Sequence, residues 1–241
     1  MFSFRRRRPK TTGTGIGLRP GDDHYRAFVG PPEDYDRVAA MAFNLLTSIG
    51  LRQYHRVLDI GCGSLRIGRL LIPYLDKGNY VGIEPNRWLV TDGILNEVGR
   101  DLIRIKSPRF LYRASLEGWR DNLGLDYALA QSIFSHCALP LVRDWLSQLS
   151  VHLRDEGALL ATFCCGPEDF DGNGWIYPAC VAYRPDTLAA IAAESGFAFE
   201  VLNWRHPRQT WALFSKPRYD RSLVGGGVIA WNRVIEQSNG R

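Results

Sequence analysis

No stretch of this sequence approaches the roughly 18 consecutive apolar residues that a membrane-spanning helix needs. A secretory signal is not predicted either, because such a signal has an apolar segment after its first charged residues. Here the arginines at residues 5–8 are followed by the polar sequence PKTTGTG at residues 9–15. We therefore expect a cytoplasmic protein without a membrane span.

Cysteine is scarce, and its spacing favours neither redox nor metal chemistry. The chain has five cysteines, an odd number, and no CxxC pair. Free thiols in a reducing compartment are the simplest interpretation. No group of histidines and cysteines has the spacing of a metal site, so no metal ion is predicted.

The body of the chain lacks net charge. The formal net charge is +5, and the five basic residues among the first ten account for all of it. Without a general basic excess, we expect no nucleic-acid partner. The arginine run is interpreted as a solvated, disordered tail, with contact to phosphate or to an acidic membrane surface as the alternative.

Segments with the pattern of strands alternate with segments of helical periodicity. The strand patterns lie at residues 56–60, 80–84, 109–112, 127–130, 158–163, 197–202 and 211–214. The helical patterns lie at residues 31–50, 66–75, 87–99, 139–153 and 185–195. This alternation predicts an α/β fold with a mostly parallel sheet covered by helices on both faces. The connection between the last two strands is too short for a crossover helix, so these strands are predicted to be antiparallel to each other.

Three regions follow from this pattern. We predict a basic disordered tail at residues 1–20, a single α/β domain at residues 21–216 and a C-terminal extension at residues 217–241. The extension is interpreted as either a docking segment or a frayed end. The oligomeric state is left open.

A glycine-containing turn follows the first strand. Glycines at such a strand-to-helix turn let a ligand approach the backbone at the start of a helix. Glu84 ends the next strand, 21 residues after Gly63, where an acid can accept hydrogen bonds from both ribose hydroxyls of an adenosine-containing ligand. A nicotinamide fingerprint would have a third glycine at the position of Arg66. The pattern therefore favours an adenosyl ligand without a pyrophosphate.

The sequence DIGCG at residues 59–63, followed by GIE at residues 82–84, resembles motif I and the acidic position after it in class I S-adenosylmethionine-dependent methyltransferases. The longer sequence GCGSLR at residues 61–66 is similar to a bacterial branch of that family, and residues 126–136 are similar to its motif IV region. The resemblance covers residues 25–216. It implies a Rossmann-like sheet of seven strands, the last of them antiparallel, and S-adenosyl-L-methionine as the cofactor.

The resemblance also implies which residues bind the cofactor. Those near its amino-acid part, at its ribose or under its methionine are Asp59, Gly61, Cys62, Gly63, Glu84, Pro85, Gln131 and Ser132. Two positions depart from the family's pattern. Leu65 stands where many members have a third glycine, and RASL at residues 113–116 lacks the acid that often lies near adenine.

Two histidines follow strands at the edge of the sheet where ligands bind in open α/β folds. His136 is the candidate general base, with a packing role at a helix entry as its alternative. His206 is the second candidate, for catalysis or substrate binding. Residues 166–178 are interpreted as either a substrate lid or an ordinary surface loop.

These features predict an O-methyltransferase for a small polar acceptor, a sugar or a secondary metabolite. The alternatives are a nicotinamide-dependent oxidoreductase, which Arg66 disfavours, and a non-catalytic partner that retains the fold.

Overall fold

A mixed β-sheet forms the centre of the protein, of which a computed structural model describes residues 13–225. Its strands are β1 (Val57–Ile60), β2 (Tyr80–Ile83), β3 (Arg109–Leu111), β4 (Leu125–Ala130), β5 (Leu153–Cys165), β6 (Ala182–Tyr183), β7 (Ala198–Leu202) and β8 (Thr210–Ser215). The main path has seven strands in the order β3-β2-β1-β4-β5-β8-β7. β8 is antiparallel to both of its neighbours, and the other pairs on the path are parallel. The predicted fold class is confirmed.

The helices are α1 (Tyr35–Ser48), α2 (Gly68–Tyr74), α3 (Arg87–Gly93), α4 (Arg100–Lys106), α5 (Leu139–His152), α6 (Pro185–Glu194) and α7 (Ser222–Gly225). Apolar residues of α1, α2 and α3 pack on one face of the sheet, and those of α5 and α6 pack on the other. Side chains of a strand point alternately to its two faces, so both faces of β1 and β4 must be apolar. In β4, Tyr127 and Leu129 pack on the first face, and Ala128 and Ala130 on the second.

Three local features differ from the sequence-based expectation. The helix predicted at residues 87–99 is α3 followed by a π-helical turn, Ile94–Val98. The helix α4 was missed because none of its residues is buried, so its apolar pattern is weak. The two-residue strand β6 lies beside the carboxyl end of β5 and is too short to give a pattern.

The predicted tail and extension lie partly outside the described residues, and the arginine run at residues 5–8 lies wholly outside them. Within the described part, the backbone N–H of Gly17 donates to the Glu33 carboxylate at 2.9 Å. The hydroxyl of Tyr219 donates to the carbonyl oxygen of Ile49 at 2.6 Å. Over residues 13–225, no helix is long and apolar enough to cross a membrane.

Candidate functional site

A cavity of about 450 Å³ lies beyond the carboxyl ends of β1, β2 and β4. This volume falls within the usual range for small-molecule sites. Its wall includes six residues that the sequence analysis predicted to bind a cofactor, together with residues that it did not predict. The predicted cofactor residues on the wall are Gly61, Gly63, Glu84, Pro85, Gln131 and Ser132.

The turn after β1 has an unusual backbone. Gly61, Gly63 and Leu65 all have positive φ, at 63°, 52° and 62°. A Cβ atom at Gly63 would lie 2.7 Å from Cγ1 of Val29, and one at Gly61 would collide with Ile133. The positive φ favours glycine at both positions, and any larger residue would also have to displace the side chain of Ile133 or Val29. Leu65 adopts the left-handed conformation without being glycine, and its fully buried side chain anchors the turn in the core.

Glu84 joins the end of β2 to this turn. Its carboxylate accepts the backbone N–H of Gly63 at 3.2 Å, and the backbone and side-chain N–H groups of Asn86 at 2.8 and 2.9 Å. Burial raises the pKa of Glu84, and these three donors act in the opposite direction. A carboxylate fixed in this way at a cavity wall is suited to accept hydrogen bonds from a diol.

Asp59 and Cys62 lie under the turn, in the core beside β2. The hydroxyl of Tyr80 donates to Asp59 at 2.7 Å. Burial raises the pKa of Asp59 to about 7, although the Tyr80 hydrogen bond opposes the shift. Both predicted residues thus stand behind the cavity wall and support the turn from below.

Arg66 also lies at the cavity, although the sequence analysis used it only as an argument against nicotinamide. It lines the cavity and is only 8% exposed. Its guanidinium donates to the side-chain oxygen of Gln131, at the end of β4. Among residues 13–225 it forms no ion pair, and burial lowers its pKa. The sequence feature that could have indicated this role is a basic residue three positions after the last glycine of the turn.

Ser132, on the same wall, and His136, buried behind it, form a hydrogen-bonded pair. Nδ1 of His136 lies 2.7 Å from the carbonyl oxygen of Ala179, so Nδ1 carries the proton of the neutral ring. Nε2 then accepts from the hydroxyl of Ser132, whose Oγ is 3.2 Å away. Burial lowers the pKa of His136, and the charge of Arg66 adds to this effect, so the neutral ring is favoured.

His206 lies behind Gln131. Nε2 of His206 is 3.3 Å from the side-chain nitrogen of Gln131. Nδ1 accepts the backbone N–H groups of Arg208 and Gln209, at 3.2 and 2.9 Å. Burial lowers the pKa of His206 to about 4. The lone pair of the neutral ring is therefore already in use.

Residues 21–30, which we call the strap, cover the cavity. Phe28 and Val29 line it, and the hydroxyl of Tyr177 donates to the carbonyl oxygen of Phe28. Outside the cavity, Arg26 forms an ion pair with Glu97 at 2.6 Å, and the hydroxyl of Tyr25 donates to the same carboxylate at 2.9 Å. The side chain of Glu97 is only 4% exposed, so this fastening is shielded from water.

The loop that was interpreted as a lid or a surface loop contributes two aromatic side chains to the wall. Trp175 is 53% exposed and stacks on Tyr177, with ring centroids 6.3 Å apart. The backbone N–H of Ile176 donates to the carbonyl of His136 at 2.8 Å, and the N–H of Ala138 donates to that of Gly174 at 2.9 Å. Hydrogen bonds therefore hold this part of the loop against the segment that carries His136.

At the end of the cavity beside β3, the wall contains Arg113 and Ala114. This is the segment where the sequence lacks the acid found in many methyltransferases. The sequence analysis predicted no metal site. Within residues 13–225, no group of three or more His, Cys, Asp or Glu side chains could hold a metal ion.

Solved structures share this arrangement of strands at low sequence identity. The magnesium protoporphyrin IX methyltransferase of Synechocystis PCC 6803, crystallised with S-adenosylmethionine, has a TM-score of 0.58 and 12% identity over 77% of this chain and 81% of that one. A methyltransferase of Leishmania major has a TM-score of 0.59 and 13% identity over 79% and 76%. An O-methyltransferase family protein of Burkholderia thailandensis has 0.55 and 13% over 80% and 60%.

The chain has the Rossmann-like methyltransferase fold. No family model matches the sequence, and no curated protein matches it. The similarity to solved methyltransferases therefore concerns the course of the backbone, and the chemistry must be argued from the residues of the cavity.

Proposed function

We propose that this protein is a methyltransferase that uses S-adenosyl-L-methionine to methylate an oxygen of a small acceptor. The observation that carries the proposal is the pairing of charges in the cavity. Glu84 presents a carboxylate, and Arg66 presents a buried guanidinium that forms no ion pair within 4 Å among the described residues, although Asp59 and Asp34 act on it from a greater distance. The cofactor carries a ribose diol for the first and an amino-acid carboxylate for the second.

The residues present fit this cofactor. Gly61 and Gly63 lie on the cavity wall and have no side chain, so a ligand can approach the backbone of their turn closely. A buried cation without a counter-ion is costly, and an anionic group of a ligand would compensate it. When bound, S-adenosylmethionine supplies a methyl group that its sulfonium makes electrophilic. Gln131, Ser132 and Pro85 complete the proposed binding wall, and Asp59 and Cys62 support the turn.

A hydroxyl acceptor must lose a proton as it is methylated. His136 is the proposed recipient because its neutral ring has Nε2 unprotonated and Nδ1 fixed by Ala179. Nδ1 of His206 already accepts two backbone N–H groups, so His206 lacks a free lone pair and we propose that it does not accept the proton. Positioning by the wall supplies the rest of the rate enhancement.

The acceptor is proposed to bind beside Trp175 and Tyr177. Both side chains line the cavity, and the ring of Tyr177 lies 4.9 Å from that of His136. Glu84 is the acidic residue on the wall, and it is assigned to ribose. A secondary metabolite with an apolar or aromatic body suits this wall.

Titration calorimetry tests the cofactor first. We expect S-adenosylmethionine and S-adenosylhomocysteine to bind, and NAD to bind at least 100-fold more weakly, because the wall has Arg66 where a pyrophosphate-binding turn needs glycine. Tight NAD binding would favour the oxidoreductase alternative.

Transfer of a labelled methyl group to a panel of phenols, sugars and hydroxy acids then tests the reaction. Turnover of a hydroxyl compound supports the proposal. Tight cofactor binding with no transfer to any member of a broad panel would favour the non-catalytic alternative.

A further inference from the structure

We propose that Ser132 takes the proton from the acceptor and passes its own proton to His136, so that the two residues act as a relay. This inference rests on the proposed function. Ser132 lines the cavity, whereas His136 is buried behind it, 5% exposed. An acceptor in the cavity therefore meets the hydroxyl of Ser132 before it meets the imidazole.

The hydrogen bonds around Ser132 assign a donor and an acceptor to the contacts of its hydroxyl with Gln209 and His136. The side-chain amide of Gln209 donates to Oγ of Ser132 at 2.9 Å. Because Nδ1 of His136 carries the ring proton, the hydroxyl of Ser132 must donate to Nε2. A hydroxyl oxygen has two acceptor sites, and Gln209 uses one of them. The second is free to accept the O–H of a bound molecule.

The backbone at Ser132 is strained in a way that serves this arrangement. Ser132 has a φ of 61°, which is uncommon for a residue other than glycine. Its N–H donates to the hydroxyl of Thr162, on β5, at 2.7 Å. Strained residues that the surrounding structure holds in place are characteristic of functional sites. The left-handed conformation turns the chain at the end of β4, between Gln131 on the wall and His136 behind it.

The proton balance of the step is complete without another reactant. The acceptor's O–H proton moves to Oγ of Ser132 as the hydroxyl proton of Ser132 moves to Nε2 of His136. The acceptor oxygen forms its bond to the methyl carbon, and the carbon–sulfur bond breaks with its electron pair remaining on sulfur. His136 becomes an imidazolium, which its Nδ1–H bond to the Ala179 carbonyl stabilises.

Ser135 provides a matched control for Ser132. Its hydroxyl is also buried and also accepts from the Gln209 amide, at 3.0 Å. No hydrogen bond joins the hydroxyl of Ser135 to His136 among the contacts of the described residues. Ser135→Ala therefore removes the same kind of contact to Gln209 and leaves the proposed relay intact.

Nitrogen-15 NMR of the histidine rings tests the relay without any acceptor. The protein is labelled on histidine, saturated with S-adenosylhomocysteine and measured at about pH 8, where an ordinary imidazole is neutral. We expect His136 to be protonated at Nδ1. The Nε2 signal should move to the position of a nitrogen without a hydrogen bond in Ser132→Ala and in Ser132→Gly, and should stay in place in Ser135→Ala.

Two results would overturn the relay. One is a proton on Nε2 of His136 in the wild-type protein, and the other is an Nε2 chemical shift that stays the same when the Ser132 hydroxyl is removed. Ser132→Gly guards against misfolding because glycine adopts the positive φ without strain. If the wild-type protein does not bind S-adenosylhomocysteine, the proposed function fails, and this outcome is recognised by calorimetry before any spectrum is recorded.

Kinetics on a hydroxyl acceptor from the panel give the second readout. Loss of the relay should lower kcat by about 10²–10⁴-fold in both Ser132 variants, measured at saturating cofactor. Ser135→Ala should stay within about threefold of the wild type. The dependence of the wild-type rate on the deuterium content of the solvent should be curved, since two protons move together. A linear dependence, or near-wild-type rates in both Ser132 variants, would contradict the proposal.

Discussion

The guanidinium of Arg66 donates to the side-chain oxygen of Gln131, so a neutral amide at the end of β4 holds a buried positive charge that follows the glycine turn. An amide oxygen compensates a cation less than a carboxylate does. The arrangement is therefore costly until an anion enters the cavity. This relationship joins the turn after β1 to the turn after β4, the two segments that the proposed methyl transfer requires.

Arg66→Met should have opposite effects on stability and on binding. The substitution removes a buried charge that no described carboxylate contacts within 4 Å, so the ligand-free protein should gain about 1–2 kcal/mol in its free energy of unfolding. Affinity for S-adenosylmethionine should fall by about 10–100-fold. Urea denaturation and calorimetry measure the two effects. Arg104 is 77% exposed, so the control variant Arg104→Met should change neither stability nor affinity. A ligand-free Arg66→Met protein that is markedly less stable than the wild type would show that the protein itself compensates the charge of Arg66.

Glu84→Ala should weaken cofactor binding by roughly 2–4 kcal/mol, because two charge-assisted hydrogen bonds to ribose are lost. Glu84→Gln keeps one oxygen and should lie between the alanine variant and the wild type. The pKa of Glu84 is raised by burial, and ribose needs the ionised form. Wild-type affinity should therefore fall, as the pH is lowered, at a higher pH than for an ordinary glutamate. Calorimetry at several pH values measures this, and unchanged affinity in a folded Glu84→Ala protein would exclude the ribose assignment.

Asp59 should make the protein less stable as the pH rises. Its pKa is about 7 in the folded protein, so in mildly acidic solution the folded state holds a proton that the unfolded state has lost. The folded state binds more protons over this range, and stability must fall between about pH 4 and pH 7. Asp59→Asn lacks this titration and should be about 2–4 kcal/mol more stable than the wild type at pH 8, relative to their difference at pH 4. Urea denaturation across this range is the measurement, and parallel curves for the two proteins would refute the shift.

His136→Asn should slow turnover by about 10²–10⁴-fold while cofactor affinity stays the same. The pKa of His136 is lowered by burial, so the wild-type rate should fall only below about pH 6.5, where the ring becomes protonated. This acidic limb should disappear in His136→Asn. It should persist in His206→Asn, because the lone pair of His206 is already bound to backbone N–H groups. If His206→Asn alone loses the limb, the two roles must be exchanged.

The strands of the main path and the mostly parallel character of the sheet could be predicted because their signals are local. Each strand on the main path is an apolar segment bounded by glycine or polar residues, and the alternation with helices restricts the topology. The π-helical turn Ile94–Val98 could not be predicted in this way. It follows Gly93, where a Cβ atom would collide with the carbonyl oxygen of Ser64, a contact between segments distant in sequence.

Only the part of the candidate site that belongs to recognisable sequence motifs could be predicted. The glycines and the acid after β2 locate the cavity from the sequence alone. The sequence does not show which residues form hydrogen bonds with the buried polar side chains. The contact of Arg66 with Gln131 depends on two turns meeting, and the proton on His136 depends on the carbonyl of Ala179, 43 residues away. Side-chain chemistry at these positions is decided by tertiary neighbours, which periodicity does not encode.

Under the proposed function, the contacts that hold the strap have a consequence for the order in which ligands bind and leave. Tyr25 and Arg26 hold Glu97 on the outer side, and the hydroxyl of Tyr177 holds Phe28 on the inner side. A cofactor of the proposed kind would enter before the strap settles and leave only after it detaches, whereas an acceptor could use the side beside the exposed ring of Trp175. Turnover would then follow an ordered sequence in which the spent cofactor departs last, and its residence time would be set by the breaking of a shielded ion pair.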